Sequence, residues 1–191
     1  MKKFISFIVI IFLITPNAKS QSYKPRNRYI QGSSSLLKAR YNNQTYKSDY
    51  AISLDAGRTF FLHKQALNNE FWIGFDWTIL DLALARFEKN VEAGMLEFKQ
   101  LEAGMHFGPS FWYSPVNGLN FNYYLHFAPT LSRIKFKGLN TKINDYAQYW
   151  VTGASFSYKL FSLGLEYRWG SYNESNVKTK GPGFYFGIRL W

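Results

Sequence analysis

Residues 98–113 read FKQLEAGMHFGPSFWY, and their alternation decides the fold class. Leu101, Ala103, Met105, Phe107, Pro109, Phe111 and Tyr113 fall on one face, and Gln100, Glu102, Gly104, His106, Gly108 and Ser110 on the other. A period of two belongs to a strand, because successive side chains point to opposite sides of a pleated sheet. The larger face is almost wholly aromatic or aliphatic. The smaller one mixes glycine and serine with charge.

The same pattern recurs along the chain. Phe121, Tyr123, Leu125, Phe127 and Leu131 oppose Asn120, Asn122, His126, Thr130 and Ser132. Phe161, Leu163, Leu165, Tyr167 and Trp169 oppose Ser162, Gly164, Glu166, Arg168 and Gly170. Phe184, Phe186, Ile188 and Leu190 oppose Tyr185, Gly187, Arg189 and Trp191. Weaker alternation covers 48–61, 70–87 and 146–160. Within 70–87 the apolar phase slips from Phe71, Ile73, Phe75 and Trp77 to Leu80, Leu82 and Leu84, which predicts a bulge near Ile79. Residues 31–41 form the poorest strand, with Leu37, Ala39 and Tyr41 read as outward. The total is eight strands, each near or above the 9–11 residues that a tilted membrane-spanning strand needs.

Composition narrows the class further. The chain has 191 residues, 20% of them aromatic, and no cysteine. The length suits one domain. The missing cysteines exclude a disulfide scaffold, a thiolate metal site, a cysteine nucleophile and a lipid-anchored cysteine. The density of apolar and aromatic residues excludes a disordered chain. At the start, Lys2 and Lys3 precede an apolar run over 4–14, followed by Pro16 and the small residues Ala18 and Ser20. These are the parts of a signal peptide in order, so 1–20 is expected to be removed on export. Residues 21–30 then form a polar periplasmic lead-in, and 31–191 the barrel domain. Without Lys2, Lys3 and Lys19 the formal charge falls from +11 to +8.

The connections alternate. Those near 42–47, 88–94, 138–145 and 173–180 are rich in Asn, Lys, Gly and Glu, whereas the alternate ones are 62–69, 114–118 and a very tight one near 160–162. Short turns at one end and longer loops at the other, with an even strand count, describe an all-β, eight-stranded antiparallel up-and-down transmembrane β-barrel. A soluble barrel packs its apolar face inward. Here the small-plus-charged face suits the inside of a narrow barrel, where small residues leave room for a few large ones. Trp72, Trp112, Tyr113, Tyr149, Trp150, Trp169, Tyr172 and Trp191 are expected in interfacial girdles.

The signal peptide, the eight strands and the run ISLDAGRTFFL (52–62) leading to EFWIGFDW (70–77) resemble the small outer-membrane β-barrel family of Gram-negative bacteria, the OmpA- and OmpX-type barrels. The resemblance covers essentially all of 31–191, and it implies outer-membrane localisation. Trp191 resembles the aromatic C-terminal residue read by the barrel-insertion machinery. Counting back from it, however, the alternate residues are Arg189, Gly187 and Tyr185, while Leu190, Ile188 and Phe186 carry the apolar phase. Either the last residue turns out of phase or the signal is read less strictly.

The inward list holds Asp55, Asp76, Glu102, His106, Lys159, Glu166, Arg168 and Arg189, with Lys38 and Arg40 added from the poorest strand. Buried charges must pair or be hydrated. The expected result is a salt-bridged plug, with a narrow polar passage or a catalytic set as the alternatives. For catalysis only His63, His106 and His126 exist; His63 falls in a turn, and the other two point inward. Lipid A deacylase barrels of the resembled class carry a serine two residues beyond the histidine, and here Ala128 follows His126 at that distance. Cations near the expected outer rim, namely Arg86, Lys89, Arg133, Lys135, Lys137, Lys142, Lys178 and Lys180, either face lipopolysaccharide phosphates or are simply solvated. No P-loop, dinucleotide fingerprint or zinc spacing is present. The expectation is therefore a monomeric, non-enzymatic barrel without cofactor or nucleic-acid partner, in contact with outer-membrane lipid and lipopolysaccharide. Its role would be structural or surface-binding, with at most slow solute passage. A lipid A-modifying barrel enzyme and a soluble periplasmic ligand-binding barrel are the rivals.

Overall fold

A computed structural model of the chain describes residues 24–41, 44–87, 97–137, 142–175 and 177–191. The expected signal peptide at 1–20 lies outside the described residues. The strands are β1 (Arg28–Ser35), β2 (Lys38–Tyr41), β3 (Gln44–Phe61), β4 (Phe71–Phe87), β5 (Phe98–Val116), β6 (Leu119–Phe136), β7 (Lys142–Tyr158), β8 (Phe161–Tyr172) and β9 (Lys178–Leu190). All pairings are antiparallel, and β9 pairs back onto β1 and β2, closing one sheet into a ring. Closure leaves no row of unpaired backbone groups, the condition for crossing hydrocarbon with strands.

Nine runs make eight staves, because β1 and β2 are one strand interrupted on one side only. Against β9 the register continues unbroken from Arg28↔Leu190 to Arg40↔Lys178. Against β3 it slips by one residue between Ser34↔Ile52 and Lys38↔Lys47. The surplus residue is Asp49, since β3 also slips against β4 between Ser48 and Tyr50. Ser48 fills the gap: its hydroxyl accepts from the Leu37 N–H at 2.8 Å, and its own N–H donates to the Leu37 carbonyl at 2.8 Å. A second surplus residue, Ile79, shifts β4 against both β3 and β5, where the phase slip had predicted a bulge. Each bulge turns two consecutive residues outward, Asp49 with Tyr50 and Ile79 with Leu80.

Both termini share one end of the barrel with the connections 62–70, 117–118 and 159–160; the other four connections lie at the opposite, loop end. Lys159 is part of the two-residue β7–β8 turn, in the left-handed region at φ 52°, and is exposed. It is not an inward residue, as its place in the alternation had suggested.

Polarity along the barrel changes once. From the terminus end through the middle, the outer wall carries Leu54, Phe75, Leu101, Phe111, Leu131, Trp150, Leu165 and Phe184, all exposed, over an inner face of Asp55, Asp76, Glu102, Ser110, Asn122 and His126, all buried. At the loop end the arrangement is reversed. Leu37, Ala39, Tyr46, Ala85, Phe87, Phe98, Ile134, Ala147 and Val177 form an apolar core inside the ring, with the Phe87 and Phe98 rings stacked at 4.4 Å. Lys38, Arg40, Lys47, Lys99, Arg133, Lys135, Lys178 and Lys180 cover its outside. Leu37 and Ala39 thus point in and Lys38 and Arg40 out, the reverse of the expectation for 31–41; Tyr41 packs against the inner core as well.

Candidate functional site

The polar lumen is built by register. Asp55 on β3 lies directly across from Asp81 on β4, and His106 on β5 follows beyond the Ile79 bulge. His106 Nε2 is 2.7 Å from Asp81 Oδ2. Gln31 donates to Asp55 at 3.3 Å and Ser53 at 3.4 Å. One level nearer the termini, Asp76 accepts from the Ser110 hydroxyl at 2.9 Å and meets His126 Nε2 at 3.2 Å. The Tyr124 ring stacks on His126 at 4.4 Å, and its hydroxyl donates to Glu166 at 3.4 Å.

Glu102 is the hub. Its Oε1 accepts from Gln100 at 2.6 Å, from Tyr149 at 2.6 Å and from Tyr172 at 2.5 Å, and its Oε2 pairs with Arg168. Arg168 in turn lies over the Tyr149 ring at 3.7 Å. Because Glu102 is on β5 while Tyr149 is on β7 and both Tyr172 and Arg168 are on β8, these bonds cross the barrel. Four donors on one buried carboxylate satisfy the condition under which a buried ion pair is tolerable.

At the terminus end, Phe61 packs edge-on against Trp72 at 5.3 Å and Trp112 at 5.8 Å, and the Arg189 guanidinium sits over Trp112 at 4.3 Å. Trp72, Trp112, Tyr149 and Tyr172 are therefore lumen residues and not girdle residues; Tyr113, Trp150, Trp169 and Trp191 do face outward. Leu190 and Trp191 are both exposed, so the last residue turns out of phase. Small inner residues have a specific use here. Tyr29 lies across its register partner Gly57, and Tyr185 across Gly164, where an added Cβ would collide with the ring.

The inward residues of this zone include five carboxylates (Asp55, Asp76, Asp81, Glu102 and Glu166), two guanidinium groups (Arg168 and Arg189) and two imidazoles (His106 and His126). The spaces between them are small. One void of about 30 Å³ is lined by Asp55, Asp81, His106, Glu102, Glu166 and Arg168, and another of about 10 Å³ by Asp76, His126, Tyr29 and Arg189. Each is on the scale of one or two water molecules. His126, read from the sequence as inward, belongs to the network; so does Asp81, which was not among the expected lumen residues although the bulge gives it the inward phase.

Chemically the network joins carboxylates to imidazole and guanidinium groups. Asp76 stands between Ser110 and His126, so the serine hydroxyl donates to the Asp76 carboxylate and not to the imidazole. His63 caps the β3–β4 connection, with Nδ1 on the Gln65 carbonyl at 2.6 Å and Nε2 accepting from the Ile73 N–H at 3.1 Å. Among the described residues no group of three or more His, Asp or Glu side chains is disposed to hold a metal ion.

Of the rim residues, Arg133, Lys137 and Lys178 are exposed at the loop end, and Lys142 begins β7 opposite Lys135. Lys89 lies outside the described residues. Glu97, beside that rim, accepts from Lys137 at 3.0 Å and pairs with Arg86 at 2.9 Å; the Lys137 bond foremost, with help from Arg86, holds its carboxyl below the usual range.

A closed antiparallel ring with an apolar outer band and a charged interior is a transmembrane β-barrel. No family model and no curated protein matches the chain. Among solved structures, Neisserial surface protein A (NspA) is similar with a TM-score of 0.55 at 14% identity, covering 85% of this chain and 97% of NspA. Ail, the attachment invasion locus protein of Yersinia pestis, is similar with a TM-score of 0.52 at 13% identity, covering 87% of this chain and 100% of Ail. Ail in complex with the heparin analogue sucrose octasulfate gives 0.51 at 12% identity, with coverage of 87% and 100%. At these identities the likeness is one of fold: the chain has the fold of the small outer-membrane β-barrels.

Proposed function

We propose that the protein is an integral outer-membrane barrel with a closed lumen, serving the envelope as a structural or surface-interaction element and not as an open channel. The observation that carries this reading is the Glu102 hub, whose partners on β7 and β8 reach across the barrel from β5. The loop-end apolar core lies above it and the Phe61–Trp72–Trp112 cluster below, so an ion would meet a packed constriction on either side of the hub. On this reading the signal peptide at 1–20 directs export, both termini face the periplasm and the loops face outward. Trp191 presents the chain to the insertion machinery, the barrel is monomeric, and cations such as Arg133, Lys137, Lys142 and Lys178 meet lipopolysaccharide phosphates. The barrel is non-enzymatic, in keeping with the Ser110–Asp76–His126 order.

Heat modifiability tests the barrel, and planar-bilayer conductance tests the closure. A mobility shift between unboiled and boiled samples, with no steady conductance, is the expected pair of results. A steady ohmic conductance overturns the closed lumen. Recovery in the soluble periplasm with no shift overturns the membrane reading itself.

A further inference from the structure

We propose that the outer wall formed by β2, β3 and β9 is a discrete binding site for the phosphorylated headgroup of an outer-leaflet lipid, with Trp169 at its edge. The site rests on the outer-membrane orientation given above and goes beyond a general basic rim. Cross-strand register places Trp169, Lys180, Lys38 and Lys47 side by side in one rung. The next rung towards the loops is Ser171, Lys178, Arg40 and Thr45. Directly opposed side chains sit about 5 Å apart at Cβ, and successive same-face positions about 7 Å apart along the strand. Five cations therefore form a two-rung grid, with hydroxyls at both ends of the outer rung.

Like charges directly opposite one another destabilise a sheet. No carboxylate among the described residues forms an ion pair with Lys38, Lys47, Lys178 or Lys180. Elsewhere at the loop end, Glu97 pairs with Arg86 and Lys137 from within the chain. Among the described residues, then, the four lysines of the grid are left to anions from outside. Its height on the barrel says which ones. The first rung continues sideways through Trp169 into Trp150 and Phe127, so it climbs from the apolar band through aromatic residues to the cations. That is the level at which lipid headgroups begin. A groove of about 620 Å³ runs along this wall, lined by Lys38, Arg40, Thr45, Trp169, Lys178 and Lys180. A headgroup carrying more than one phosphate matches its donors, since each phosphate takes charge-assisted bonds from neighbouring cations and a hydroxyl.

The test uses the full chain in detergent, titrated with purified lipopolysaccharide and with the same lipid dephosphorylated, and read by native mass spectrometry. Two variants are compared with the unaltered protein: Lys38→Gln/Lys47→Gln/Lys178→Gln/Lys180→Gln in the grid and Arg28→Gln/Arg58→Gln, an exposed cross-strand pair at the terminus end. The grid variant should lose at least about tenfold in affinity and the other less than about threefold, because each cation beside an anionic surface contributes separately. Removing the phosphates should abolish the difference between the unaltered protein and the grid variant. Equal losses in the two variants, or equal binding of the dephosphorylated lipid by the unaltered protein, overturn the site. Heat modifiability is read on every sample. If the unaltered protein shows no shift, the membrane reading fails; if it shifts and the grid makes no difference, only the site fails. Should the fourfold variant not fold, Lys178→Gln/Lys180→Gln takes its place, with a loss of at least about threefold required on the same per-cation basis.

Discussion

The same strands obey opposite rules at the two ends of the barrel. On β6, Leu131 faces out and Ser132 in, yet two residues later Arg133 faces out and Ile134 in. On β9 the outward residues change from Phe186 and Phe184 to Lys180 and Lys178, while the inward ones change from Arg189 and Tyr185 to Thr179 and Val177. The backbone alternation does not change; what lies outside it does. Where the wall meets lipid, apolar groups gain nothing by turning in, and the lumen is left to charge. Beyond the lipid the wall meets water, and the barrel packs as a soluble one does. A strand's phase therefore fixes which residues share a face, while the solvent at each level determines what that face is made of.

That contrast can be broken from either side. Glu102→Ala, in the charged half, should cost about 3–5 kcal/mol, because it strands Arg168 without its partner; urea unfolding in lipid vesicles measures it, and a cost near zero would mean that the hub is hydrated. Ile134→Ala, in the loop-end core, should cost about 2–5 kcal/mol through the cavity it leaves, by the same assay. Phe127→Arg, on the outer wall between Phe107 and Trp150, should cost about 2–4 kcal/mol and lower the membrane yield. Arg133→Leu, only six residues further on, should stay within about 0.5 kcal/mol, since that level is outside the lipid; a loss or gain above 1 kcal/mol would move the boundary between the halves.

The smallest effect concerns pH. Glu97 has its carboxyl held low by Lys137 and Arg86, so its contribution is present above the ordinary glutamate range and is lost as pH falls through the lowered folded value. Protection of the Lys137 amide, whose N–H donates to the Glu97 carbonyl at 2.8 Å, should fall relative to the free-peptide exchange rate only on acidification below that ordinary range. In Glu97→Gln this acid step should disappear.

Much of this was legible from residue order. Strand β5 announces itself because its two faces differ so sharply, and the slip from Trp77 to Leu80 located a bulge that the register confirms. Errors arose where residue type was allowed to override phase. Trp112 shares the inward parity of Ser110, and Tyr149 opposes the parity of Trp150; both pack inside despite belonging to residue types common in girdles. The rule for lipid turns Lys38 and Arg40 inward, but their segment lies above the lipid and they face out. The partners of Glu102 could not have been read at all, since closure of the ring, and not proximity in sequence, brings Tyr149 and Tyr172 to it.

The two bulges also determine where the chain tolerates a change in length. With Asp49 removed, Ser48 would face in, Tyr50 out and Ala51 in, the plain alternation of an unbulged strand. With Ile79 removed, Thr78, Leu80 and Asp81 fall into the same order. A residue lost from the regular run of β6 or β7 has the opposite result, turning every side chain on one side of the gap towards the wrong solvent. Single-residue deletions, which most barrel strands cannot accept, have two places in this one where inside and outside keep their identities.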